Sequence, residues 1–254
     1  METTGLNKDQ KYVDIEIVEI GAISESTGEK FAQYILPTTP ITPNASAVHG
    51  IHLKRLPTGE YDMNSLYVKE KGGLVKVDAV DKRTGLRMFL DWLKKFKKKI
   101  LLAGYNNYRF DDWVLSHNLL HADLDASELS IRFGDVAKMV RLVLQEFHPT
   151  KWSLTFAVTC LLRRSQTCAH GALSDTEDVR DLLTKLAKEQ RTTTKEILER
   201  TVGEKDDSLR ARKDFDEVMK VCVKMFLSSG LYLVSGGRKP MEEGQCMTWC
   251  QRKD

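Results

Sequence analysis

The order of elements in this 254-residue chain predicts an α/β protein with a mixed sheet flanked by helices. Two observations lead there. Residues 13–23 (VDIEIVEIGAI) and 31–36 are short and rich in β-branched and aromatic residues. Thr27-Gly28, a turn signal, separates them, so they read as a β-hairpin. Beyond residue 84 the period changes. Leu86, Phe89, Leu90 and Leu93 recur at helical spacing, a short apolar strand follows at 100–103, and several helices come after it. A hairpin that leads into helix, strand and helices makes a mixed sheet with helices on its faces.

Pro37, Pro40 and Pro43 interrupt regular structure after the hairpin, and a loop is expected through Ala47-Val48-His49-Gly50-Ile51. Residues 52–82 are Gly- and Lys-rich without a clean period and read as a loop-rich insertion holding one short helix. The amphipathic helix spans 84–97, and further helices are expected after Asp111, over 135–146 and over 153–162. Asp175 opens a strong helix. Asp175 and Asp178 suit its N-terminal end, and Val179, Leu182, Leu183 and Leu186 form its apolar stripe. Residues 191–227 read as a charged helical extension and 228–254 as a flexible tail, so the chain is expected to divide into 1–190 and 191–254.

At 41% hydrophobic and 30% charged residues, the composition is that of a globular chain. A net charge of +3 neither requires nor excludes nucleic acid. Lys94, Lys95, Lys97, Lys98 and Lys99 form a local basic run, which is either a solvated helix end or a phosphate contact beside a nuclease site. No stretch has transmembrane length and the N-terminus carries no apolar signal region, so no membrane is expected as a partner and the expected location is cytoplasmic or nuclear. Cys160, Cys168, Cys222, Cys246 and Cys250 show no even framework and read as reduced thiols.

Four ionisable positions have distinctive surroundings. Glu2 begins Glu2-Thr3-Thr4-Gly5-Leu6, Asp111 ends Asn106-Asn107-Tyr108-Arg109-Phe110-Asp111, and His170 and Asp175 bound His170-Gly171-Ala172-Leu173-Ser174-Asp175. Phosphodiester hydrolysis needs cationic stabilisation of an in-line displacement, well supplied by two divalent ions about 3.5–4 Å apart. Mg²⁺ prefers oxygen ligands and keeps several waters, so a few carboxylates from distant segments suffice. The attacking water also needs a base, and histidine suits that role near neutral pH. Taken singly, each residue also has a plain reading as a solvated carboxylate, a helix cap or a structural histidine.

In order along the chain, E-T-T-G-L, I-V-E-I-G-A at 17–22, V-H-G-I, N-x-x-x-F-D and H-x-A-x-x-D resemble the DEDDh 3′→5′ exonucleases. That family includes polymerase proofreading subunits and three-prime repair exonucleases. The resemblance is collinear over residues 1 to about 190 and implies a ribonuclease H-like mixed sheet flanked by helices. It implies Glu2, Asp111 and Asp175 as ligands of two Mg²⁺ or Mn²⁺ ions, with His170 as the general base. By the same resemblance Thr3, Thr4 and Leu6 line the pocket for a 3′-terminal nucleotide, Asn106 helps to hold that end, and the substrate is a single-stranded DNA or RNA 3′ end.

The chain departs from that pattern in one respect. The family's first motif is Asp-x-Glu on the first strand. With Glu2 as its Glu, Met1 takes the middle position and the Asp falls before Met1. The first strand is therefore expected to be truncated, and the sequence as it stands to be nearly inactive until that Asp is restored. Asp14-Ile15-Glu16 is a second Asp-x-Glu, but it runs straight into I-V-E-I-G-A and lacks a following T-T-G-L. The leading function is a metal-dependent exonuclease. Its alternative is a catalytically inactive nucleic-acid-binding or protein-interaction module that keeps the fold.

Overall fold

The computed structural model describes residues 1–5, 15–96, 99–107, 110–145, 152–166 and 171–202. Its strands and helices run β1 (Glu2–Thr3), β2 (Ile17–Ile23), β3 (Lys30–Leu36), α1 (Pro43–His49), β4 (Ile51–Arg55), β5 (Tyr61–Glu70), β6 (Gly73–Val77) and β7 (Ala79–Asp81). Then follow α2 (Lys82–Lys94), β8 (Lys99–Gly104), α3 (Asp111–His121), β9 (Ser130–Asp135), α4 (Val136–Val143), α5 (Leu154–Ala157), α6 (Ala172–Glu189) and α7 (Thr194–Thr201). A π-helical turn over Val158–Leu162 continues α5.

The expected hairpin is β2–β3, with Ile23 opposite Lys30 and Glu19 opposite Tyr34. The two-residue strand β1 pairs antiparallel on the other side of β2, and β7 joins β3 in parallel, so this sheet is mixed. Strands β8 and β9 form a parallel pair. Helix α2 starts where the Asp81 carboxylate accepts from Thr84 N–H (2.9 Å). It lays Leu86, Phe89, Leu90, Trp92 and Leu93 against Ile20, Phe31 and Ile35 of the hairpin. Burying each such side chain is worth about 1.5–3 kcal/mol.

A second core joins α4, α5, the π turn and α6 through Val140, Val158, Leu182 and Leu186, and Ile197 of α7 is fully buried within it. Met1–Val202 form one compact unit, so α7 packs within the same body as α6. Among the described residues no helix is long and apolar enough to cross a membrane.

Several elements differ from expectation. The loop-rich insertion over 52–82 is instead a three-stranded antiparallel sheet, β4-β5-β6, followed by β7 and the start of α2. Its inner face, with Ile51, Leu53 and Leu66, closes a third core with Val18, Ile41 and Ala45. The loop through His49 contains helix α1, because Thr42 caps it and Pro43 occupies its first turn, where proline is tolerated. Strand β9 precedes α4 without a loop, and α6 begins at Ala172, ahead of Asp175. Of the extension expected over 191–227, α7 is described and the remainder lies outside the described residues, as does the tail over 228–254.

Candidate functional site

Glu2, Asp111 and Asp175 line one cleft of about 750 Å³, together with Asn106 and Lys99. Each acid comes from a different element, and β2 locates them. Glu2 is set by pairing opposite Glu19. Asp111 opens α3, which Asn118 fixes to the segment entering β2: its Nδ2 donates to Ile15 O (2.9 Å) and its Oδ1 accepts from Ile17 N–H (3.2 Å).

Asp175 sits in the first turn of α6, which rests on β2 at Gly21. A Cβ at that position would come within 2.3 Å of Leu173 N and 2.4 Å of Ala172 C, so only glycine admits this approach. Two hydrogen bonds hold the contact. Ala172 N–H donates to Glu19 Oε2 (3.0 Å), and Thr176 Oγ1 donates to Gly21 O (3.1 Å). Gln166 Nε2 donates to Asp175 Oδ1 (3.2 Å) and to Asp178 Oδ2 (2.9 Å), while Arg164 pairs with Asp178 at 2.7 Å.

Crowding of these acids shifts their proton affinities. Burial pushes the Glu2 carboxyl up to about 8, and repulsion from Asp175, Glu19 and Asp111 adds to it while the Met1 α-amino group opposes it. Burial likewise raises Asp111 and Glu19. The Met1 ammonium lies 3.7 Å from Asp111 Oδ1. Burial weakens its hold on its proton, yet the carboxyls of Asp111, Glu2, Glu19 and Asp175 together leave its pKa raised. A monovalent cation thus stands among these acids. An all-carboxylate donor set suits a hard divalent ion such as Mg²⁺ or Mn²⁺. Among the described residues, however, no three His, Cys, Asp or Glu side chains group closely enough to hold an ion. The field fits a cation, and the ligand set is not closed around one.

Asn106 adopts a left-handed conformation (φ 59°), held by its own N–H to Asp135 Oδ1 (2.9 Å) and by Arg141 Nη2 donating to its Oδ1 (2.6 Å). Thr3 and Thr4 are buried away from the cleft. The Thr3 hydroxyl donates to Gly5 O (2.7 Å), and the Thr4 hydroxyl accepts from Glu16 N–H (2.9 Å). Their side chains are thus engaged within the fold. His170 and Leu6 lie outside the described residues, as does Asp14. Glu16, the partner of Asp14 in the second Asp-x-Glu, is a structural acid: Thr38 and Thr39 donate to it through backbone and hydroxyl, and Lys82 pairs with it. The V-H-G-I motif is also structural. His49 Nδ1 accepts from Ile51 N–H (3.0 Å), which leaves Nε2–H to donate to Thr3 O (3.0 Å) beside Glu2.

Sequence reasoning missed Glu19. It lies opposite Glu2, accepts from the first residue of α6 and from the Tyr34 hydroxyl, and so ties three elements at the cleft. Tyr34 is pushed up to about 12 by burial and by that carboxylate. The visible signal was an acid inside an otherwise apolar strand, I-V-E-I-G-A.

The mixed sheet with its flanking helices makes an α/β fold, and Glu2, Asp111 and Asp175 make its cleft acidic. Among solved structures, E. coli exonuclease I in complex with a dA16 oligonucleotide matches with TM-score 0.54 at 17% identity, covering 75% of this chain and 40% of that one. The zinc-bound form of the E. coli exonuclease I–ssDNA complex matches at TM-score 0.52 and 17% identity, over 75% and 39%. A further exonuclease I structure, described as suggesting how processivity is achieved, matches at 0.51 and 18%, over 74% and 39%. At such identities the likeness is one of fold, and this chain spans about two fifths of the length of those structures. No protein-family model matches the chain. No curated protein matches it either.

Proposed function

We propose that this chain is a metal-dependent nuclease domain of the 3′→5′ exonuclease type, acting on single-stranded DNA or RNA 3′ ends. The observation that carries the reading is the convergence of Glu2, Asp111 and Asp175, from three separate elements, on one cleft where each feels the others' charge. In this reading the three carboxylates hold Mg²⁺ or Mn²⁺, which would stabilise the charge developing on the phosphate. His170, in the segment between Gln166 and α6, takes the proton of the attacking water, and Asn106 holds the terminal nucleotide. The presence of single-stranded DNA in the exonuclease I structures is in keeping with this substrate class.

A second reading, a catalytically inactive binding module, draws on the ligand set that does not close around an ion. One experiment separates the two. Mn²⁺ uptake is measured by calorimetry, and degradation of 5′-labelled single strands is followed with Mn²⁺ and with EDTA. In a form extended to carry an Asp one position before Met1, the nuclease reading expects Mn²⁺ uptake and a ladder shortened from the 3′ end, both lost in Asp175→Asn. Single-strand binding without Mn²⁺ uptake or cleavage would overturn it in favour of the module.

A further inference from the structure

The sheet β4-β5-β6 has two unlike faces. Register places Ile51 opposite Val68, Leu53 opposite Leu66, and Leu66 opposite Val77, and this face covers the third core. Alternation sends the intervening residues to the other side. There His52 lies opposite Tyr67, Tyr67 opposite Lys76, and Lys69 opposite Leu74 in the next row. Both rings are half-buried, Lys69 and Lys76 are exposed, and Leu74 is 52% exposed. These rows contain no carboxylate. Glu70 has the opposite parity, and its charge acts on Tyr34.

We infer that this face is a second contact site for single-stranded nucleic acid, separate from the acidic cleft; the inference rests on the nuclease-type reading above. Two rings side by side, flanked by ammonium groups and free of acids, match what a single strand requires: a π surface for a base and cations for the adjoining phosphates. The His52 ring is suited to stacking. Its Nε2 is shielded from solvent with no hydrogen-bond partner among the described residues, and burial and Lys69 both lower its pKa, which favours the neutral ring. The turn into this sheet is also tied to β1. His49, two residues before β4 starts pairing with β5 at Ile51, bonds both Ile51 N–H and Thr3 O, the carbonyl next to Glu2.

The test is fluorescence anisotropy of a 5′-labelled thirteen-residue thymidine oligonucleotide with the full chain in EDTA, across a salt series. Tyr67→Ala should weaken binding about 5- to 100-fold, while Tyr67→Phe, which keeps the ring, should bind like wild type. Replacing Lys69 and Lys76 by alanine should lower the slope of log Kd against log salt by about 0.7 per lysine. Circular dichroism confirms that each variant is folded, and the lysine pair serves if Tyr67→Ala is not. Asp111→Asn reports separately on any binding in the acidic cleft. Unchanged affinity and salt slope in the Tyr67 and lysine variants would overturn the platform, and so would the absence of binding by wild type. Binding lost only in Asp111→Asn would confine the nucleic acid to the cleft, refuting the platform while sparing the nuclease-type reading.

Discussion

Glu2 makes the stability of the metal-free protein depend on pH. In the unfolded chain its carboxyl releases its proton near the ordinary value of 4.5, whereas in the folded protein burial and the neighbouring acids hold that proton until about 8. Between those values the folded state carries an extra proton, so raising the pH favours unfolding. The stabilisation is fully present below 4.5 and is lost as pH rises through about 8. The interval, 8 − 4.5 = 3.5, sets a ceiling of about 5 kcal/mol at ~1.4 kcal/mol per pH unit. Glu2 keeps partial contact with solvent, which reduces the expected size to about 3 kcal/mol. For a unit of this length that corresponds to roughly 6–12 °C in Tm. Scanning calorimetry from pH 5 to 9 in EDTA should show the fall in wild type and a shallower one in Glu2→Gln. Asp111 and Glu19 titrate in the same direction and remain in the variant, so the difference reports Glu2 together with its coupling to them. Added Mn²⁺ should stabilise more as pH rises, because a ligand must lose its proton to bind. Parallel melting profiles for the two proteins across this range would refute the reasoning.

Three further outcomes follow from the site and its supports. In a form carrying the Asp before Met1, His170→Ala should lower turnover by a factor on the order of 10²–10⁴ while leaving the Kd for single strands in place, since a base acts on water; an unchanged kcat removes its assigned role. Gly21→Ala should destabilise by about 1–3 kcal/mol in urea unfolding and displace Asp175, because the new methyl meets the backbone of α6 and not a side chain that can swing away. Neutralising Lys94 and Lys95 should leave the salt slope of nucleic-acid binding nearly unchanged, since they pair with Asp91, Glu128 and Glu29 on the surface; a clear loss of slope would restore them as phosphate contacts.

The hairpin and α2 were legible because their periodicities are undisturbed: the strand residues are nearly all apolar, and Leu86, Phe89, Leu90 and Leu93 sit one helical turn apart. The sheet β4-β5-β6 was not, since its outer face interleaves His52, Tyr67, Lys69 and Lys76 with the buried positions, and β6 is exposed along most of its length. A strand that buries little on either side leaves no period to detect. Strand β9 was hidden for another reason. Asp135 is both its last residue and the cap of α4, accepting from Ala137 N–H (3.0 Å), so no turn separates strand from helix. Helix α1 shows the ambiguity of proline: Pro43 reads as a breaker until Thr42 is recognised as the cap before it.

The acids on and just before β2 show where reading a site from sequence reaches its limit. Glu16 and Glu19 stand three residues apart in the same apolar run, and both are nearly inaccessible to solvent. A buried carboxylate persists only with partners, so each was bound to have some. What separates them is the identity of those partners, which arrive from far along the chain. Lys82 pairs with Glu16, and Thr38 and Thr39 saturate its oxygens, which keeps its pKa below the usual carboxylate value despite burial. Glu19 receives the Ala172 N–H, 153 positions later, and, among the described residues, no lysine or arginine. Its charge therefore adds to those of Glu2, Asp111 and Asp175, and the Met1 ammonium is a single positive charge among the four acids. An acid in an apolar strand announces that a partner exists, and only the fold decides whether that partner silences the charge or leaves it to act.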